Sequence, residues 1–213
     1  MATQHPDPAP ATVFPAPLAV HRFTVEKYHE MIATSILRED DRVELLDGWI
    51  IDMSPIGILH RWVVEKTLFL LTGLLPRGWD AFAQQPVSLA TSEPSPDVSV
   101  FRGDKFDYVD RHPGPSELVL VVEVADTSLK TDRNDKLPLY ADAGILSYWI
   151  VNVADREVEV YRDPKPGSRP SEGQYHSSQR VSLDGELALT LDGDTIGRIA
   201  VADLFPPTEV QPG

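Results

Sequence analysis

The pattern of apolar and polar positions predicts a sheet built around one strand that is covered on both faces. Residues 118–122 read Leu-Val-Leu-Val-Val, an unbroken apolar run of the kind found in such strands. Residues 146–153 and 156–162 form two more apolar or alternating runs, which predict a pair of neighbouring strands. The second half of the chain is therefore predicted to form a buried sheet.

The remaining periodic segments predict helices and strands around that sheet. Asp47-Gly48 lies between two strand-like runs and predicts a tight hairpin, because both residues tolerate positive backbone angles. Thr24 is suited to cap a helix, and Gly73 with Pro76 ends a longer amphipathic one. The predicted elements are, in chain order, a helix at 25–33, a hairpin at 42–53, a helix at 58–75, extended runs at 79–90 and 95–101, a polar loop at 102–116, a helix at 132–144 and a further strand at 181–191.

Length and composition predict one domain with a short terminal segment at each end of the chain. With 213 residues and 42% hydrophobic content, the chain fits one globular domain, which we place at residues 21–206. Proline crowds the start, so we expect residues 1–20 to form an extended or disordered arm. Residues 207–213 are expected to form a polar tail.

Charge and cysteine content narrow the classes of function. Cysteine is absent, which leaves no disulfide framework or thiolate site and favours the cytoplasm. No segment has the features of a signal peptide or the apolar length of a membrane span, so a soluble protein is expected. The formal net charge of −14 argues against a sequence-wide electrostatic hold on nucleic acid. A polyanionic substrate would need a local basic patch or metal ions.

Three acidic residues are the candidate chemistry. Glu123 follows directly on the apolar run, where an unpaired carboxylate costs several kcal/mol, roughly, unless a cation or hydrogen bonds meet it. Asp97 opens an extended run and Glu44 lies on the predicted hairpin. If they converge, their oxygens suit Mg²⁺ or Mn²⁺. By residue type alone, Asp97 could instead cap a turn, and Glu44 could lie on the solvent face of its strand.

An ordered set of motifs resembles a known family. The motifs are Pro-Ser-Pro-Asp-Val-Ser-Val at 94–100, Val-Val-Glu-Val-Ala-Asp-Thr-Ser at 121–128, Asp132 with Lys136, Tyr140 with Gly144, and Tyr-Trp-Ile-Val at 148–151. This combination is similar to the Uma-two family of restriction-endonuclease-like proteins, a branch of the PD-(D/E)xK nuclease superfamily. The resemblance covers about residues 23–205.

The resemblance implies a fold and a reaction. The implied fold class is α/β (α+β), a mixed β-sheet flanked by helices, here with an added N-terminal hairpin and C-terminal strands. Asp97 and Glu123 would be metal ligands, and Glu44 an added acid. The superfamily lysine is expected at position 125, which is alanine here, so Lys136 on the next helix would replace it. The implied activity is a Mg²⁺-dependent endonuclease that hydrolyses DNA with a metal-activated water, with Mn²⁺ as a substitute and a homodimer as the working form.

Other interpretations stay open at this stage. A protein of this fold could be catalytically inactive and act in binding or assembly, or could hydrolyse a smaller phosphoester. Lys136 could be a solvated lysine paired with Asp132. His60 ends the apolar face of its helix and could be a base or ligand, although a packing role is the commoner one. Four cations are available to offset phosphate charge near the site: Arg102, Lys105, Lys130 and Arg133.

Overall fold

The computed structural model describes residues 20–207. The predicted arm at 1–20 and tail at 207–213 therefore lie outside the described residues, except for their innermost positions. Within the described range, no helix combines the length and apolar composition needed to cross a bilayer.

Short helices and strands follow one another along the described chain. The helices are α1 (Val25–Ala33), α2 (Ile58–Thr72), α3 (Leu129–Thr131) and α4 (Leu137–Asp142), with a π-helical turn at Asp132–Lys136 joining the last two. The strands are β1 (Val43–Leu46), β2 (Trp49–Asp52), β3 (Trp79–Ala83), β4 (Val98–Arg102), β5 (Leu118–Ala125), β6 (Ser147–Asn152), β7 (Glu157–Lys165), β8 (Gln174–Val181), β9 (Glu186–Leu191) and β10 (Asp194–Ala200).

A six-stranded mixed sheet forms the centre of the fold. Its strand order is β3-β4-β5-β6-β7-β8, in which only β5 and β6 run parallel. The α3–α4 segment makes the crossover between those two strands, as a parallel connection requires. Two hairpins, β1-β2 and β9-β10, form separate two-stranded sheets. The expected mixed sheet with added N-terminal and C-terminal strands is confirmed.

Two hydrophobic clusters cover the faces of the sheet. On β5, Leu120, Val122 and Val124 belong to the cluster that also contains residues of α2, β9 and β10. Val121 and Ala125 belong to the opposite cluster, with Tyr140 and Tyr148. Every residue of β5 is buried, as its apolar run predicts. Since side chains alternate along a strand, Glu123 shares the second face.

Several predicted boundaries differ from the structure. The extended run at 79–90 ends at Ala83, because Gln84 has a φ of +52°, which a strand does not tolerate. The segment at 181–191 is not one strand: a turn separates the end of β8 from β9. No sequence pattern predicted β10 or most of β8. Gly73 caps α2 as predicted, so that helix stops before residue 75.

The helix predicted at 132–144 starts earlier and contains a wider turn. Proline cannot donate a backbone hydrogen bond, and its ring clashes with the carbonyl four residues before it. The π turn precedes Pro138 directly, and Leu137 N–H bonds back to the carbonyl of Asp132, five residues away. The helix thus continues across the proline, and both Asp132 and Lys136 are buried.

Candidate active site

Glu44 is held in the interior by backbone pairing of β1. Leu45 and Glu93 exchange backbone hydrogen bonds of 3.4 and 2.7 Å, which attaches the first hairpin to the segment before β4. The Glu44 side chain is therefore buried, and Ser95 N–H donates to its Oε2 at 3.2 Å. The solvent-face alternative for Glu44 is wrong.

Asp97 lies immediately before β4 and accepts hydrogen bonds from two neighbouring elements. The backbone N–H of Val124 on β5 donates to its Oδ2 at 2.8 Å, and His60 Nε2 lies 3.0 Å from the same oxygen. A longer contact of 3.4 Å joins Gln84 Nε2 to Oδ1. Asp97 is buried, so it does more than cap a surface turn.

Glu123 is the buried carboxylate of β5, and two donors from the crossover helix meet it. Lys136 Nζ is 3.0 Å from its Oε1, and the hydroxyl of Tyr140 donates to the same oxygen at 2.8 Å. Burial raises the pKa of Glu123 well above its ordinary value, and the charge of Lys136 opposes that rise. Lys136 therefore helps to keep Glu123 ionised.

Lys136 connects two of the predicted acids. Its Nζ lies 3.3 Å from Glu44 Oε1 as well as 3.0 Å from Glu123 Oε1. Burial lowers the pKa of Lys136, but the carboxylates of Glu123 and Glu44 outweigh that effect and raise it. The lysine is consequently a buried ammonium group within the acid cluster. The interpretation of Lys136 as a solvated helix residue is wrong.

Asp132 is a further acid of this cluster, although from the sequence it was a motif position and a surface partner of Lys136 and not a candidate site residue. Its side chain is 1% exposed and accepts a hydrogen bond of 2.6 Å from Ser128 Oγ. Burial raises the pKa of Asp132 to about 6, while the charge of Lys136 opposes the rise. The four-residue spacing of Asp132, Lys136 and Tyr140 was the available signal, since it places all three on one helix face.

His60 is placed beside the cluster by the first turn of α2. Burial lowers the pKa of His60, but the hydrogen bond and charge of Asp97 outweigh it, so the pKa lies above its ordinary value. Its other ring nitrogen, Nδ1, is buried without a hydrogen-bond partner in the part of the chain that the structure describes. His60 is thus a second cation available to Asp97 in mildly acidic solution.

The polar side chains described above line one cavity of about 120 Å³. Its titratable lining residues are Arg42, Glu44, Asp52, His60, Asp97, Glu123, Asp132 and Lys136. The structure therefore brings the three predicted acids and the predicted lysine together. None of the four cations considered for phosphate neutralisation, Arg102, Lys105, Lys130 and Arg133, lines this cavity. Three of them form ion pairs elsewhere: Arg102 with Asp192, Lys105 with Asp80 and Arg133 with Glu159.

The donor set of the cavity can be compared with the needs of a divalent ion. Carboxylate oxygens are the ligands that Mg²⁺ and Mn²⁺ prefer, so the residue types fit. Among residues 20–207, however, no three His, Asp or Glu side chains stand together as a ready ligand group. Glu44 and Glu123 pair with Lys136, and Asp97 pairs with His60. Binding of an ion would require these carboxylates to share or exchange their present partners.

Comparisons with known proteins bear on both fold and family. A solved structure described as a "putative nuclease belonging to DUF820", from Anabaena variabilis, is similar with a TM-score of 0.66. The two chains are 15% identical, and the match covers 86% of this chain and 97% of that chain. At this identity the likeness shows the fold.

No curated protein matches the chain. A family model described as "Uma2: Putative restriction endonuclease" matches residues 25–193, well over half of the sequence. The chain therefore belongs to the Uma2 family.

Proposed function

We propose that the protein is a metal-dependent endonuclease that hydrolyses phosphodiester bonds of DNA. The observation that carries the proposal is the convergence of Glu44, Asp97, Glu123 and Lys136 on one buried cavity from separate elements. Burying three carboxylates and an ammonium group costs free energy, and such clusters of perturbed titratable groups in a cavity are typical of functional sites. The description of the family, and that of the nuclease from Anabaena variabilis, support the same class of activity.

The proposed cofactor is Mg²⁺, with Mn²⁺ as a substitute. Asp97, Glu123 and Glu44 would hold the ion, because their carboxylate oxygens are hard donors that line the cavity. When bound, such an ion lowers the pKa of a coordinated water and stabilises charge on phosphate oxygens, which supplies a metal-activated nucleophile.

The protein's own groups have distinct parts in this proposal. Pro96-Asp97, Glu123 and Lys136 would stand for the PD-(D/E)xK motif, with the lysine supplied by the crossover helix instead of β5. The charge of Lys136 opposes the burial-driven rise in the pKa of Glu123 and lies where a phosphate would enter. Tyr140 fixes the Glu123 carboxylate through its hydrogen bond of 2.8 Å. Asp97 is fixed by the backbone of β5.

The proposal also includes an oligomeric state and a cellular location. A homodimer would let two such cavities act on the two strands of one duplex, and sedimentation analysis would test it. A cytoplasmic location stays a prediction from the absence of cysteine.

The deciding experiment combines ion binding with plasmid cleavage. Mg²⁺ or Mn²⁺ binding by calorimetry and nicking of supercoiled plasmid are measured for the wild type, Asp97→Asn and Glu123→Gln. The matched control is Glu159→Gln, because Glu159 is equally buried but pairs with Arg133 and does not line the cavity. The proposal expects both binding and nicking in the wild type and the control, and neither in the two cavity variants.

Other outcomes would favour the alternatives. A folded wild type that neither binds an ion nor nicks DNA under any metal would support an inactive nuclease-fold module acting in binding or assembly. Ion binding together with cleavage of mononucleotide esters, but not of plasmid, would support a small-phosphoester hydrolase. The absence of a lysine at Ala125 is the specific feature behind the inactive alternative.

A further inference from the structure

A groove leads away from the acid cavity along the first hairpin. The cavity of about 120 Å³ shares Arg42, Met53, Ile56, Gln84 and Ser95 with a neighbouring pocket of about 350 Å³. This second pocket, which we call the Arg38–Arg42 groove, continues into a wider depression of about 840 Å³. The acids therefore lie at one end of a row of adjoining pockets, and together these pockets are large enough for a ligand of several nucleotides.

The charge of the Arg38–Arg42 groove is opposite to that of the chain. The protein carries a formal net charge of −14, yet among the side chains that the structure describes, the charged ones lining this groove are Arg38 and Arg42. Both arginine side chains are exposed, and in the described part of the chain neither guanidinium has an ion-pair or hydrogen-bond partner. Guanidinium groups of this kind match phosphate geometry.

Apart from Gln84 and Ser95, the rest of the groove is largely apolar. Its wall is formed by α1 and β1, which are joined where the Tyr28 hydroxyl donates to the carbonyl of Val43 at 3.0 Å. The other apolar members are Ile32, Leu37, Met53 and Ile56. A surface that combines phosphate-binding cations with an apolar lining is the pattern of grooves that hold unpaired nucleotides.

Arg42 is the residue that links the groove to the acid cavity. It lines both spaces and precedes Glu44 by two positions. Its backbone has φ 43° and ψ 61°, the left-handed region that costs an arginine free energy. Strain of this type at the mouth of a cavity is typical of a side chain held in place for binding.

The size and burial of the acid cavity decide which nucleic acid can enter. Glu44, Asp97 and Glu123 are 4%, 8% and 4% exposed. A cavity of about 120 Å³ admits a phosphate and a few waters, each of which occupies about 30 Å³ in the liquid. An unpaired strand can follow such a recess more easily than an intact duplex, because bending the stiff duplex costs free energy.

We infer that the Arg38–Arg42 groove binds the backbone of single-stranded or locally unpaired nucleic acid and delivers one phosphate to the acid cavity. This inference rests on the proposed nuclease function for its chemistry, but not for the binding itself. Arg42 contacts the phosphate next to the one in the cavity, and Arg38 contacts the following one. The two arginines thereby supply positive charge beside the acid cavity of a chain whose formal net charge is −14.

Binding in the presence of a chelator tests the groove without any cleavage. Fluorescence anisotropy is measured in EDTA with a labelled single strand of about 12 nucleotides, within the range that such grooves cover, and with a hairpin duplex of equal charge. The proteins are the wild type, Arg42→Ala, Arg42→Lys and Arg38→Ala. The matched control is Arg77→Ala, which removes an exposed arginine that does not line the groove.

The inference expects tighter binding of the single strand than of the duplex by the wild type. Arg42→Ala should raise the Kd for the single strand about tenfold or more. It should also reduce the slope of log K against log salt by about 0.7, the value for one phosphate contact on a single strand. Arg42→Lys should keep that slope, and Arg77→Ala should match the wild type.

Three results would overturn the inference: equal Kd values for Arg42→Ala and the wild type, tighter binding of the duplex, or an equal loss in Arg77→Ala. Its failure can be told apart from that of the proposed function. Plasmid nicking with single-strand binding unaffected by Arg42→Ala would refute the groove and leave the nuclease. Single-strand binding that depends on Arg42, without cleavage under any metal, would support the groove and refute the nuclease function.

Discussion

Replacing Lys136 by methionine tests whether the acid cluster depends on its buried ammonium group. At an effective dielectric constant of about 20, the contacts of 3.0 and 3.3 Å to Glu123 and Glu44 each represent about 5 kcal/mol of attraction. The desolvation of the charges offsets much of this. Removing one partner of a buried ion pair nevertheless costs about 3–5 kcal/mol, because a buried charge is left uncompensated. We therefore expect Lys136→Met to lose that much free energy of unfolding at pH 8.

The pH dependence of this loss has a defined sign. Without Lys136, burial raises the pKa of Glu123 further, since the charge that opposes the rise is gone. A carboxyl group with a raised folded-state pKa contributes stability below its unfolded pKa and loses it as the pH rises through the folded one. The deficit of Lys136→Met should thus shrink between pH 8 and pH 5, as Glu123 takes up a proton.

Urea unfolding followed by tryptophan fluorescence at both pH values measures the effect. The control is Lys105→Met, which removes a half-exposed lysine 3.4 Å from Asp80 and should cost less than about 1 kcal/mol. If the carboxylates left unpaired by Lys136→Met bind Mg²⁺, a Mg²⁺ concentration of 100 times the Kd should raise the free energy of unfolding of this variant by about 2.7 kcal/mol. A loss below about 1 kcal/mol, equal at both pH values, would refute this account of the cluster.

Three other predictions concern neighbouring parts of the site, at Asp132, Tyr140 and Arg42. Asp132→Asn should gain stability relative to the wild type as the pH rises from 4 to 7 in urea unfolding. Burial raises the pKa of Asp132 from 3.8 to about 6, a difference worth about 3 kcal/mol, and a pH-independent difference would contradict the prediction. Tyr140→Phe should cost about 1.5–3 kcal/mol in the same assay, because its hydroxyl bonds a charged group. Tyr175→Phe, whose hydroxyl donates to a backbone carbonyl, should cost about 0.5–1.5 kcal/mol, and equal losses would argue against an ionised Glu123. Arg42→Gly should be at least as stable as Arg42→Ala, since glycine adopts a φ of 43° without strain; thermal unfolding would show the reverse order if the residue is not strained.

The alternation and the apolar runs of the sequence were sufficient to predict most of the fold. Strands β5, β6 and β7, the first hairpin and the caps of α1 and α2 follow from local patterns, and the structure contains them. Boundaries failed where a single backbone angle or a turn intervened, as at Gln84 and between β8 and β9. Such angles depend on tertiary contacts that periodicity does not report.

For the candidate site as well, the sequence predicted one part and the packing of the fold decided the rest. The sequence alone made Glu123 exceptional, because a carboxylate at the end of an apolar strand needs a partner. It did not identify that partner, and it placed Lys136 and Glu44 equally well in solvent. Only packing decided that both are buried: the π turn before Pro138 continues the helix across the proline, and backbone pairing of Leu45 with Glu93 carries Glu44 inward. Contacts between residues distant along the chain, such as Glu44 with Lys136, exist only after the sheet and its crossover helix have formed. The sequence therefore determined which residues could do chemistry, and the tertiary structure determined which of them meet, because an ion pair depends on distance in space and not on spacing along the chain.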